Sequence, residues 1–197
     1  MSLQPSASQT VGPYYSIGLA WLAVGDGTVI GPTPDPEAGP VQYLEFVGTV
    51  RDGAGQTVSD AMLEVWRPSV RGASPGASPP GSQPGEEAQE LLAKQGFGRV
   101  RVEESGCFCF RVWPFAQVVK GHAPHLVVHV FMRGLLKAAS TRIYLPDQVG
   151  HETDPVLKRV PSTRRSTLIA SQVDEEPNRF RFDIHMQGAN ETVFFAY

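Results

Sequence analysis

Ala123-Pro124-His125-Leu126-Val127-Val128-His129-Val130-Phe131-Met132-Arg133-Gly134 is the stretch from which the rest of the chain can be read. Val127, Val128, Val130 and Phe131 are β-branched or aromatic and follow closely on a proline, which predicts a strand over 126–132. Side chains on a strand alternate between faces, so His125, Val127 and His129 share one face. Two histidines chelate one ion at i and i+2 of a strand, or at i and i+4 of a helix. On a strand, i to i+4 spans roughly 13 Å, whereas metal–nitrogen bonds are about 2.0–2.1 Å long. His125 and His129 therefore cannot share an ion while the segment is extended. Val127 occupies the position that would complete a His-x-His pair, so the strand reads as a metal site with its second ligand removed.

Strand signals continue on both sides of this segment. Residues 1–40 read as largely irregular, with a Pro/Gly-rich run up to Pro40. A strand is expected over 41–51, then the turn Asp52-Gly53-Ala54-Gly55 as a hairpin signal, then a strand over 61–66. Residues 68–85 are rich in proline, glycine and serine and offer almost nothing to a core, and a short helical turn is expected over 86–94, so that 68–90 reads as an exposed loop. Strands are expected at 98–102 and 107–112 around the turn Glu103-Glu104-Ser105-Gly106, and again at 141–145. A short helix should open at Pro161 and run to Ala170. Strands at 180–186 and 192–195 close the chain as a hairpin around Gln187-Gly188-Ala189-Asn190. Seven or more short strands with regular turns predict an all-β, antiparallel β-sandwich with a long irregular N-terminal segment and loops. Residues 1–197 are expected to form a single domain.

Composition narrows the function classes. At 197 residues the chain can bury a substantial core, and 41% hydrophobic residues with a net charge of −3 describe a soluble globular protein. There is no basic excess, which speaks against nucleic acid as a partner. No apolar run approaches the roughly 20 residues of a membrane span, and the N-terminus lacks the pattern of a signal peptide, so a cytoplasmic location is expected. Cys107 and Cys109, the only cysteines, lie two apart on a strand and point to one side. A bridge between them would be strained, so they are read as buried thiols packing as small hydrophobes.

An ordered set of segments then carries a family resemblance. It runs through Ser8-Gln9-Thr10-Val11-Gly12-Pro13-Tyr14, Val47-Gly48-Thr49-Val50-Arg51-Asp52-Gly53, Leu63-Glu64-Val65-Trp66, Ala123-Pro124-His125 and Phe131-Met132-Arg133-Gly134. It continues through Thr141-Arg142-Ile143-Tyr144, Arg164-Arg165-Ser166-Thr167-Leu168-Ile169-Ala170, Arg179 to Ile184, and Gln187-Gly188-Ala189-Asn190-Glu191-Thr192-Val193-Phe194-Phe195. In this order the set resembles the intradiol ring-cleaving dioxygenases, most closely the α-type chains of the branch that opens protocatechuate.

The resemblance implies a chemistry and a division of labour. Catalytic chains of the family hold ferric iron through two tyrosines and a His-x-His pair, because phenolate oxygens stabilise a hard, Lewis-acidic ion and imidazole completes its shell. Here the Gly-x-Tyr step expected after the Glu64-Val65-Trp66 strand reads Gly72-Ala73-Ser74, no tyrosine falls between Tyr43 and Tyr144, and the second histidine is Val127. Three of the four ligands are absent. The implied role is that of a non-iron-binding α subunit, with no catalytic and no metal-ligating residue of its own. A homologous β subunit would carry the Fe(III), and the pair would cleave protocatechuate with O₂ between its two hydroxylated carbons to 3-carboxy-cis,cis-muconate. The N-terminal arm, residues 1–40, is expected to contact that partner. The substrate-binding residues the resemblance implies are Thr10, Val11, Gly12, Pro13, Tyr14 and Arg133. A Gly-Pro step sets a rigid backbone wall beside a flat ring, and an arginine offers a cationic fork to a carboxylate.

Two other roles stay open on the sequence. One is a dioxygenase-derived binding or scaffold module without catalysis. The other is an independent metalloenzyme using His122, His125, His129 or His151, which requires a helical 125–129 segment that the β-branched run opposes.

Overall fold

The computed structural model describes residues 10–19, 28–31, 42–68, 96–114, 121–148, 150–174 and 176–196. Within them one short helix, α1 (Tyr15–Gly18), precedes the strands β1 (Val29–Ile30), β2 (Leu44–Arg51), β3 (Met62–Trp66), β4 (Phe97–Arg101) and β5 (Cys107–Val112). The strands β6 (His125–Phe131), β7 (Ala139–Tyr144), β8 (Ser171–Gln172), β9 (Arg179–Arg181) and β10 (Ile184–His185) follow. One sheet is antiparallel throughout, in the order β4-β3-β6-β7. The other runs β1-β5-β2-β9-β8 with β10 also on β2. The antiparallel β2–β5 and β8–β9 pairs of that sheet are joined by parallel β1–β5, β2–β9 and β2–β10 pairings.

Period-two burial makes this a sandwich. In β6, Leu126, Val128 and Val130 are each 0% exposed, while Val127 and His129 alternate with them on the outer side. They meet Phe46, Phe108, Phe110 and Val112 of the opposite sheet in one shared apolar cluster. Phe46 stacks on Phe110 with ring centroids 5.3 Å apart. The packing is close enough to dictate a glycine: a Cβ on Gly48 of β2 would sit 1.9 Å from the carbonyl oxygen of Phe182. The all-β sandwich expected from the strand and turn pattern is the architecture seen.

Individual pairings depart from expectation where turn chemistry was asked to predict a partner strand. The 52–55 turn forms, with Asp52 Oδ1 accepting from the amides of Ala54 and Gln56 and Gly55 at φ +78°. The ladder it starts ends at the Arg51–Thr57 bridge, and the chain then crosses to the other sheet, so β2 and β3 do not pair. The 103–106 turn likewise joins β4 and β5 across the two sheets. A turn fixes a reversal of direction, whereas the sheet a strand joins is set by the core its inward face must reach. The terminal hairpin is also replaced. Here β9 and β10 lie parallel to β2, while the last segment bonds His185 through Thr192 and reaches β7 through the Phe195–Ser140 bridge.

The cysteines are corrected as well. Both are exposed, because Phe108, Phe110 and Val112 claim the inward face of β5 and leave the alternate positions outside. The helix expected from Pro161 is a 3₁₀ helix, Ser162–Leu168, preceded by another at Leu157–Arg159. The 68–90 loop lies outside the described residues apart from Pro68, as does the helical turn expected after it.

Candidate functional site

The sandwich brings the N-terminal arm to the end of β6. The arm residues Thr10, Val11, Gly12 and Pro13 form one wall of a groove of about 290 Å³. The opposite wall is the turn after β6, with Met132, Arg133, Leu135 and Leu136. Gly12 (φ +84°) and Gly134 (φ +87°) have no atom within 4 Å of a would-be Cβ, so both backbones present open faces to the groove. Five of the six residues expected to bind substrate thus line one concavity, although more than a hundred residues separate the two segments. The sixth, Tyr14, stands beside it, 75% exposed.

Asp60, which sequence reasoning missed, ties the two walls together. Its carboxylate Oδ2 accepts from Arg133 Nε at 2.6 Å, and its main-chain carbonyl accepts from the hydroxyl of Tyr15. Tyr15 is 5% exposed and anchors α1 to the sandwich. Burial first, and then the charge of Asp60, push its phenol up to about 12, so it stays a protonated donor. Hydrogen bonding to Asp60 raises the Arg133 guanidinium above its ordinary value, which secures its charge. The arginine remains largely open to solvent, with 73% of its side chain exposed. Asp60 lies between the turn at 52–55 and β3 and carries no motif. Only the fold reveals its role.

The outer face of β6 and β7 holds the second polar centre. His125 pairs with Tyr144 across the strands, and Val127 pairs with Arg142. His125 is 6% exposed, and its Nδ1 lies 2.8 Å from the carbonyl oxygen of Ala123. Burial pushes its imidazole down to about 4, so it is neutral at physiological pH. Tyr144 lies beside it, its ring tilted by 37° with centroids 5.3 Å apart, and donates to Asp154 Oδ1 at 3.3 Å. Arg142 donates from Nη1 to the Tyr144 hydroxyl at 3.2 Å. Asp154 is fully buried and accepts from the amides of Ala123, Val156 and Leu157 at 2.8–2.9 Å. Burial pushes its carboxyl up, but those amide donors, led by Leu157, outweigh it and hold the group below the usual carboxylate range.

This centre does not fit an iron ion. The Tyr144 hydroxyl is already taken up within the protein, accepting from Arg142 Nη1 and donating to Asp154 Oδ1. A guanidinium already occupies the strand face beside Val127. Among the described residues, no three His, Cys, Asp or Glu side chains are placed to hold a metal. The segments that would carry the family's two tyrosine ligands fall in large part outside the described residues.

A 3-chlorocatechol 1,2-dioxygenase from Rhodococcus opacus 1CP superimposes with a TM-score of 0.56 at 18% identity, covering 91% of this chain and 71% of its own. The fold is thus that of the intradiol ring-cleaving dioxygenases. In sequence, the chain is 37% identical to a protocatechuate 3,4-dioxygenase alpha chain from Burkholderia cepacia, over 98% of each. It is 32% identical to the alpha chain of that name from Pseudomonas putida, over 99% of this chain and 98% of the relative. No family model matches the chain. The protein belongs to the intradiol dioxygenase family, in its protocatechuate 3,4-dioxygenase alpha-chain branch. That family consists of iron-dependent, ring-cleaving oxidoreductases. No helix among the described residues is long and apolar enough to cross a membrane.

Proposed function

We propose that this chain completes the active site of a heteromeric protocatechuate 3,4-dioxygenase whose iron is held by a homologous β subunit. The observation that carries the reading is the convergence of Thr10–Pro13 and Arg133 on one groove, with Asp60 fixing both walls. The ferric centre of the partner supplies the oxidative chemistry with O₂. This chain's residues bind and orient the ring. The Gly12-Pro13 backbone forms a flat wall, the Gly12 amide donates to Thr10 Oγ1, and the main-chain amides of Thr10 and Val11 meet polar groups of the substrate. Arg133, held by Asp60 and open to solvent, faces the carboxylate that distinguishes protocatechuate from catechol. Val11, Tyr14, Ile17 and Leu136 are exposed apolar side chains on or beside this groove, which suits a surface covered by a partner subunit.

Expression with and without the partner tests the reading. Alone, the chain should purify colourless and inactive. Co-expressed with a longer homologue carrying two tyrosines and a His-x-His pair, it should yield a coloured, active hetero-oligomer. Stoichiometric iron with a visible absorption band in the isolated chain would refute the division of labour. Failure to bind the homologue in sedimentation experiments would refute the partnership.

A further inference from the structure

A cavity of about 470 Å³ is lined by residues of β7, the two 3₁₀ segments and the C-terminal segment, and nothing in the proposed function uses it. Its walls are apolar, built from Val156, Val160, Pro161, Val193 and Phe195. Three guanidinium-bearing residues, Arg142, Arg159 and Arg164, line it too. Such a volume suits a small organic ligand, and apolar walls with a few convergent polar groups are the usual construction of such a site.

The charges at this cavity are only partly satisfied. Arg164 donates to the carbonyl of Glu191 at 2.8 Å and lies 3.6 Å from its carboxylate, so that cation is paired. Among the described residues, Arg142 bonds Tyr144 and His122 through Nη1, and its Nε is buried with no hydrogen-bond partner. No hydrogen bond or ion pair among the described residues engages the Arg159 side chain. Among the described residues, neither Arg142 nor Arg159 has a carboxylate within ion-pair distance; the nearest acid to Arg142, Asp154, is reached only through Tyr144 and His122, and Arg159 is exposed. A buried donor left unmade is costly, and a planar guanidinium matches a carboxylate in geometry and charge. We propose that this cavity binds a small carboxylic acid with an apolar body, its carboxylate on Arg142 and Arg159 and its body against Val160 and Phe195. Inorganic phosphate would satisfy the charge but leave the apolar walls unused. The inference stands whether or not the Arg133 groove serves catalysis.

The test uses 4-fluorobenzoate as probe, with fluorine NMR on the full-length chain together with whatever partner it purifies with. A bound population should be seen. Arg142→Gln should weaken binding by about 10-fold or more, as expected for a charge-assisted hydrogen bond. The more exposed Arg159→Gln should weaken it by about 2- to 5-fold, and it leaves the buried Tyr144–Asp154 cluster untouched should Arg142→Gln disturb folding. Arg133→Ala should leave this population unchanged. Absence of binding would overturn the proposal, as would binding indifferent to both cavity variants. Competition by inorganic phosphate as strong as that by unlabelled benzoate would overturn the assignment to an apolar acid.

Discussion

Acidification should destabilise this protein through a single imidazole, and the size of the effect follows from where His125 sits. Its ring is buried between Tyr144 and the carbonyl of Ala123, and burial lowers its pKa from 6.5 to about 4. Each unit of difference between folded and unfolded states is worth about 1.4 kcal/mol, so the neutral ring contributes about 3 kcal/mol. Because the folded value is the lower one, the unfolded chain binds more protons between the two values, and stability rises with pH across that window. The contribution is complete above about pH 6.5, declines as the pH falls, and is fully lost near pH 4. Asp154 and Asp183 are held below the ordinary carboxylate value of 3.8, so their own losses come at lower pH. Urea denaturation from about pH 7.5 to about pH 4 on the native chain and on His125→Gln isolates the term. The native chain should lose about 3 kcal/mol more than the variant over this range. Parallel stability curves would refute the reasoning, and so would an NMR titration of the His125 ring with a midpoint at or above its unfolded value.

Three further outcomes are expected. Arg133→Ala should raise KM for protocatechuate on the order of 10-fold, the scale of a charge-assisted hydrogen bond, while assembly and catechol turnover hold; equal losses for both substrates would assign Arg133 a structural role. Gly48→Ala, whose new Cβ would lie 1.9 Å from a main-chain oxygen, should cost about 1–3 kcal/mol or more, and an unchanged urea midpoint would contradict the packing described. Cys107 and Cys109 should both alkylate with iodoacetamide in the folded chain. Cys109 should be the slower, because burial first and then Glu45 push its thiol up and the thiolate is the nucleophile; modification only after unfolding would restore the buried reading.

How far the sequence could be read depended on the range of the interaction responsible. Strand identity was legible because alternation is local: Leu126, Val128 and Val130 announce an inward face, and they are fully buried. The turns at 52–55 and 103–106 were legible for the same reason, through Asp52 and the positive φ of Gly55 and Gly106. Which strands those turns joined was not, because the choice between sheets depends on a core assembled from residues more than a hundred positions apart, such as Phe46 and Ile184. Cys107 and Cys109 were misjudged because a residue's average tendency to be buried yields to the register its larger neighbours impose. At the site, Thr10–Pro13 and Arg133 were named through resemblance, since a Gly-Pro step or a strand-end arginine means little alone. Asp60 could not be named, because its importance lies in touching Tyr15 and Arg133 at once.

The face of β6 and β7 explains why losing a ligand need not destabilise such a chain. Replacing a metal-binding histidine by Val127 removes one donor, but a remaining His125 facing a charged ion site would be left buried and unsatisfied. Here the polar groups of this face are satisfied by protein groups. The carbonyl of Ala123 satisfies the imidazole, and Asp154 draws the 3₁₀ segment at Leu157–Arg159 against the start of β6 by bonding Ala123 and Leu157 together. Arg142, opposite Val127 in register, supplies a fixed positive charge from within the chain. Unlike a metal ion, a guanidinium cannot be lost to solution, so the face stays organised without a cofactor. It cannot accept an electron pair from oxygen or imidazole, however, so the stability it brings excludes ligation at the same spot. On the proposed division of labour, the partner would keep the donor set, and this chain would contribute the wall and charge at Gly12, Pro13 and Arg133.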